Sequence, residues 1–255
     1  MAMAQDGAER DEALARGYTF RQRAINVFGI ALFFSLSVIL AFQIHGLTQE
    51  VHHGAMIVLA AVALGLPIAD FASGFVHWAA DNWGSGTWPI VGGFVQPFRN
   101  HHDDPKDMTH HGFVERNGDN SIASMPLFIT AFLVGGAPAT NLFITTLCLA
   151  TAWWVLATNQ FHAWAHMDEV PRWVRWMQRA HLILPPEHHD GHHRSPHAQN
   201  YCITTGWMDA PLRWIRFWQI LEWTLTKLTG VEPLHRHRSR AMERNQASLP
   251  DARLY

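Results

Sequence analysis

Four stretches of the chain are almost wholly apolar, and the polar residues collect between and after them. Residues 24–44 hold no Asp, Glu, Lys or Arg and are dominated by Val, Ile, Leu, Phe and Ala. At about 1.5 Å per helical residue such a run crosses a hydrocarbon core of about 30 Å. Residues 55–80 form a second run in which Asp70 is the one charged side chain. Residues 122–136 and 140–161 form a third and a fourth, joined by Gly135-Gly136-Ala137-Pro138, a sequence that ends a helix and permits a tight reversal. Further on, residues 207–228 mix Trp214, Ile215, Phe217, Trp218, Ile220 and Leu221 with Arg213, Arg216 and Lys227, the pattern of a helix lying along a membrane surface. The expectation is an all-α integral membrane protein with four transmembrane helices. A polar N-terminal segment, residues 1–23, precedes a membrane domain over 24–230, and a basic tail follows over 231–255.

The basic residues fix the orientation. Four of the 19 Lys and Arg precede the first run, three lie between the second and third, and twelve follow the fourth. The loops at residues 45–54 and 135–139 have none. Basic residues stay on the cytosolic side, so both termini and the large loops are placed there, in a multi-pass protein of a bacterial inner membrane or an endoplasmic reticulum. Acidic residues (Asp6, Glu9, Asp11, Glu12) are mixed into the N-terminus, unlike a cleaved signal, so the first apolar run is expected to remain. A net charge of -2 gives no basic field, which excludes nucleic acid as a partner. Cys148 and Cys202 stand far apart in no pairing motif, so no disulfide framework or thiolate zinc site is expected.

Histidine changes the picture, with 18 in the chain. His162 and His166 are four apart at the cytosolic end of the fourth run, on one helix face, which is bidentate metal-ligand spacing. His189, His192 and His193 follow HxxHH spacing, His101 and His102 are adjacent, and His77 ends the second run on the same membrane side. Eight neutral imidazoles converging there would hold two divalent ions and leave positions open, which a closed structural zinc site would not. His111 and His197 are weaker candidates for ligation. His181 and His188 are candidates to orient ligands from behind, together with Asp81, Asn159, and Asp103 with Asp104. Asp70, deep in the second run, is an intramembrane ionisable group with His77 or Asn159 as expected partner. His45, His52, His53, His235 and His237 read as incidental.

No serine elbow, phosphate-binding loop or HExxH motif is present, so acyl transfer, phosphoryl transfer and zinc proteolysis lack their machinery. A metal centre at a membrane face favours redox chemistry, since removing hydrogens from an unactivated alkyl carbon needs metal-activated dioxygen and an external source of electrons.

The run from Asp70 to Asp81 followed by Pro97-Phe98-Arg99-Asn100-His101-His102 resembles the Kua family, also called the plasmanylethanolamine desaturase family, with its CarF-like members. The likeness continues through Asn117-Gly118-Asp119-Asn120, the pair His162 and His166, Ile183-Leu184-Pro185, the run His188 to His197, and Cys202 to Trp207, covering roughly residues 60–220. Gly112 after His111 and Met167-Asp168 after the histidine pair depart from the family pattern without removing a proposed ligand. The resemblance implies desaturation of the alkyl chain of an ether phospholipid next to the ether oxygen, giving the vinyl ether of a plasmalogen. It implies two Fe ions held by His77, His101, His102, His162, His166, His189, His192 and His193, with O2 as co-substrate. It also implies an external electron-transfer protein of the cytochrome b5-like or ferredoxin-like kind, and a membrane phospholipid as substrate. Two alternatives stand beside this: an acyl-chain desaturase of a phosphatidylglycerol-type lipid, and a non-enzymatic membrane metal-binding protein.

Overall fold

The structure, a computed structural model, describes residues 18–89 and 92–247. The described residues form helices and connecting turns, with no strand among them. Helix α1 (Phe20–Glu50) opens with a capping box, in which the Thr19 hydroxyl accepts the Gln22 N–H and the Gln22 side chain accepts the Thr19 N–H. After a turn through His53, α2 (Gly54–Asn82) follows. Three helices are long and apolar enough to cross a membrane: α1, α2 and α6 (Pro138–His166). They match three of the four expected runs.

The remaining run is built differently. Residues 122–136 are divided between the end of α4 (Phe113–Ala123) and the nine-residue α5 (Met125–Leu133), separated by Ser124 with Pro126 at the start of α5. Nine residues rise only about 14 Å, so α5 alone falls short of a bilayer core. His77 on α2 and His162 on α6 come together, so those two helices end at the same place and α6 starts at the far end of the bundle. Helices α4 and α5 lie between them in the chain and both pack against α6. Beside α1, Gly118 of α4 sits so close to Asn26 that no larger residue fits without displacing that side chain.

The bundle core is Phe33, Leu40, Phe128, Ala131, Cys148, Ala152 and Leu156, with the Phe33 and Phe128 rings edge to face at 5.1 Å. Outward, Phe28, Phe42, Met56, Leu59 and Leu133 are exposed. Large apolar side chains on the outside of a helical bundle are what a lipid environment stabilises.

A cap of short helices covers the end where α2 and α6 finish. It comprises α3 (Gly92–Asp103), a 3-10 turn (Asp107–His110), α7 (Arg172–Arg179) and α8 (Pro186–Asp190). The expected surface helix over 207–228 occurs as two pieces, α9 (Asp209–Trp214) and α10 (Phe217–Thr229), because Arg216 takes a left-handed conformation at φ 55°. The tail is helical as α11 (Leu234–Ala247).

Candidate metal centre

Four elements deliver nine donor side chains to one place. Helix α2 presents His77 and Asp81 one turn apart, α3 ends with His101 and His102, α6 ends with His162 and His166, and α8 with the turn after it supplies His189, His192 and His193. The donors fall into two groups whose ligand atoms lie within 4.8 Å of one another: His101, His162, His166, His189 and His193 in one, and His77, Asp81, His102 and His192 in the other. Neighbours in sequence are split, with His101 and His193 in the first group and His102 and His192 in the second. The two groups therefore share a wall.

In the first group the Nε2 atoms face one another, His101 to His166 at 3.0 Å, His166 to His162 at 3.2 Å, His162 to His189 at 2.7 Å and His189 to His193 at 3.0 Å. An ion bonded to imidazole at about 2.1 Å puts adjacent ligand atoms about 3.0 Å apart and opposite ones about 4.2 Å apart in square-based geometry. The spacing fits one ion with five nitrogen donors.

Tautomers make the second group more telling. His77 Nδ1 lies 3.1 Å from the Tyr201 carbonyl and His192 Nδ1 lies 2.8 Å from that of Gln199. A carbonyl only accepts, so each Nδ1 carries the hydrogen and each Nε2 presents a lone pair. Those lone pairs, with His102 Nε2, point at Asp81 Oδ2 from 3.4, 3.3 and 3.5 Å. Asp81 is fully buried, and neither of its oxygens nor His77 Nε2 has a hydrogen-bond partner. His102 Nε2 can donate to His192 Nε2 at 3.0 Å, but the His77 lone pair and the two carboxylate oxygens stay without a donor, an arrangement that is costly unless a cation sits among them. The donor set fits a divalent metal ion such as iron, whose hard and borderline character suits imidazole with one carboxylate.

Burial also sets the protonation state of the loop histidines. Burial, reinforced by His166 and His193, lowers His101 to about 2, and burial with His166 and His192 lowers His193 to about 3. His189 is held well below its usual value by burial and then by His162. These imidazoles are ready to ligate at neutral pH without losing protons. Below about pH 6.5 the unfolded chain binds protons on these groups while the folded one does not. Their contribution is fully present above about pH 6.5 and is lost as the pH falls toward the folded values. Thermal melts of the metal-free protein should therefore shift steeply downward between about pH 6.5 and 4.5, and a flat profile would contradict the buried, neutral cluster.

Other expected site residues stand outside both groups. His111 pairs with Asp107 at 3.1 Å and lies 3.8 Å from Glu115. His197 stacks on His102 with ring centroids 4.3 Å apart and directs Nδ1 to the His192 carbonyl, so it braces two cluster residues. His188 bonds the buried Asp209 at 2.8 Å. The exposed His181 contributes a backbone carbonyl to Trp207 Nε1, and Asn159 bridges α6 to α4 through the Arg116 carbonyl and Asn120. Asp103 and Asp104 are exposed on the rim. His235, expected to be incidental, bonds Glu222 at 3.0 Å.

Asp70 has neither expected partner. Its Oδ1 accepts the N–H groups of Thr204, Thr205 and Gly206 at 3.1, 2.7 and 3.1 Å, and its Oδ2 accepts that of Met208 at 2.9 Å. It clamps the loop after the last histidines onto α2. Gly74 lets this loop approach, since a side chain there would meet Cys202 Sγ at 2.5 Å. Asp81 is the donor that the pattern of histidines alone passes over, although its spacing of four from His77 equals that of His162 and His166.

Three membrane-length helices, two of which, α2 and α6, end in side-chain groups of metal-ligating composition, define a membrane-embedded helical protein with two groups of donors that could hold metal ions. The model of the lipid desaturase domain family matches residues 66–236, and the chain belongs to that family of membrane oxidoreductases. A plasmanylethanolamine desaturase of Myxococcus xanthus is 44% identical over 223 residues, which is 87% of this chain and 78% of that protein. Plasmanylethanolamine desaturase 1 of Mus musculus is 41% identical over 215 residues, 77% of this chain and 78% of that protein. The chloroplastic fatty acid desaturase 4-like 1 of Arabidopsis thaliana is 34% identical over 173 residues, 66% of this chain and 57% of that protein. No solved structure matches the chain.

Proposed function

We propose that this membrane lipid desaturase introduces the vinyl ether double bond into the alkyl chain of an ether phospholipid, using two iron ions at its paired histidine site. The observation that carries the reading is the division of nine buried or half-buried donors into two adjoining groups, one of five imidazoles and one of three imidazoles with Asp81. Bound iron would supply the dioxygen-dependent chemistry on an alkyl carbon that no side chain performs. The protein's own part is to fix the donors. The Tyr201 and Gln199 carbonyls hold His77 and His192 in the tautomer that points Nε2 inward, and His197 holds the ring of His102. Substrate choice rests on the names of two relatives, each a plasmanylethanolamine desaturase at more than 40% identity over most of the chain.

In this reading the chain crosses the membrane four times, α4 and α5 together making the third crossing, with both termini and the metal site on the cytosolic side. Electrons would arrive there from a cytochrome b5-like or ferredoxin-like protein, on the face where Lys and Arg concentrate.

The test is lipid mass spectrometry of plasmalogen-free cells expressing the wild type or His162→Ala and supplied with an alkyl ether phospholipid. Vinyl ether from the wild type and none from the variant is the expected result. Absence of product from wild-type protein that is present in the membrane and supplied with a working donor would refute the substrate. A change confined to acyl unsaturation would favour the second reading, an acyl-chain desaturase of a phosphatidylglycerol-type lipid, whose acyl chemistry agrees with the Arabidopsis relative's name as a fatty acid desaturase.

A further inference from the structure

A row of buried aromatic rings leads away from the second group of donors. The Tyr201 ring lies 5.3 Å from His192 and 6.2 Å from His77. On its other side it meets Trp218 at 5.4 Å, and Trp218 stacks on Trp78 at 5.3 Å with 25° between the planes. Trp83 follows at 6.0 Å from Trp78. Each step is close to ring contact, and Tyr201, Trp218 and Trp78 are all buried.

Packing explains why such rings cluster, but not their polar partners. Trp78 Nε1 donates to Glu222 Oε1 at 3.1 Å, reaching across 144 residues of sequence to a carboxylate buried in α10. The same carboxylate is held by His235 Nε2 at 3.0 Å and faces Arg236 at 3.9 Å. An indole N–H aimed at a carboxylate has a proton acceptor already in place. Tyr201 is set up in the opposite way, since its phenol oxygen accepts from Asn82 Nδ2 at 3.2 Å. A hydrogen bond donated to a phenol oxygen makes loss of an electron from that ring harder. Of the two ring types in the row, tryptophan is the one equipped to be oxidised.

We propose that Trp78, with Glu222 as its proton acceptor, is a redox-active residue that discharges oxidising equivalents from the metal site when dioxygen is activated without a lipid chain in place. The inference rests on the di-iron reading above. A centre able to oxidise an alkyl carbon can also oxidise its own ligands, and a protein has to exclude that competing reaction. In the discharge step Trp78 gives one electron through Trp218 and Tyr201 toward the histidines. Its N–H bond breaks, the proton passes to Glu222 Oε1, and a neutral tryptophanyl radical remains. The oxidant generated at the histidines is reduced by that one electron. A one-electron reductant of the thiol or ascorbate class, with the proton returned from Glu222, then restores the indole.

The experiment uses the iron-loaded full chain in lipid nanodiscs free of ether lipid, its iron content measured beforehand, mixed with hydrogen peroxide and freeze-quenched for electron paramagnetic resonance. An organic radical is expected whose hyperfine structure changes with ring-deuterated Trp and is unaffected by ring-deuterated Tyr. Trp78→Phe, which keeps the aromatic packing, should lose that signal, and peptide mass spectrometry should then find oxidation moved onto His77 and His192. Glu222→Gln gives a second variant, in which the signal should be lost or shortened in lifetime because the proton has nowhere to go. A signal that follows deuterated Tyr, that persists unchanged in both variants, or that never forms in iron-loaded wild type overturns the proposal. Wild type that takes up no iron overturns the di-iron reading itself.

Discussion

Asp81→Asn is expected to lower bound iron from roughly two ions per chain to roughly one, to abolish desaturation, and to raise the melting temperature of the metal-free protein. The three effects share one cause. The Nε2 lone pairs of His77 and His192 point at Asp81 Oδ2 from 3.4 and 3.3 Å, His102 Nε2 lies 3.5 Å from the same oxygen, and no hydrogen bond satisfies either carboxylate oxygen. With a cation present, the carboxylate supplies the one negative charge of its group. Without a cation it is a buried carboxyl group with no hydrogen-bond partner, a condition that costs about 1–3 kcal/mol. The amide of Asn is isosteric and can donate to one of the facing nitrogens, which removes the cost and also removes the site. The five-histidine group does not include Asp81 and should keep its ion. Metal analysis alongside calorimetry of metal-free protein checks both signs. Full iron content with unchanged turnover would make Asp81 a bystander, and a large fall in the metal-free melting temperature would make it a structural anchor instead.

That donor was half legible in the chain. The eight histidines that the structure gathers are those expected from the sequence: His162 with His166 and the HxxHH run stand out by local spacing, His101 and His102 by adjacency, and His77 by its place at the end of an apolar run. Asp81 has the same local spacing but an acidic side chain, and an expectation built on histidine placed it behind the ligands. Helices α1, α2 and α6 were legible for the same reason, since a long uncharged run needs no partner to be recognised. The division of residues 122–136 between α4 and α5 was not, because the break is one residue, Ser124, and the apolar pattern continues past it. The least legible features are pairings between distant residues. Trp78 with Glu222, and Asp70 with the amides of 204–208, are separated by more than 130 residues, and no periodicity in either segment points to the other. Asp70 stood out as a charge within an apolar run, which marked it as important without showing what it held.

Asp70→Ala is expected to destabilise the protein by about 3–5 kcal/mol, the range for breaking a buried charged network from one side. Four backbone N–H groups, those of Thr204, Thr205, Gly206 and Met208, lose their acceptor together. The segment they belong to cannot turn to another partner, because it is buried from Tyr201 to Gly206. Loss of the clamp should reach the metal site through Tyr201, whose carbonyl fixes the tautomer of His77 and which lies three residues before the first clamped amide. Metal affinity is therefore expected to fall along with the melting temperature, even though Asp70 is in neither donor group. Asp70→Asn separates charge from geometry: its carbonyl can still accept the three amides at Oδ1, while its NH2 group meets the N–H of Met208 donor to donor. An intermediate loss of stability is expected for that variant. Thermal unfolding and iron content of the two variants provide the check, and an Asp70→Ala protein that melts and loads iron like the wild type would show that the loop is held by its packing against α2 and α10 alone.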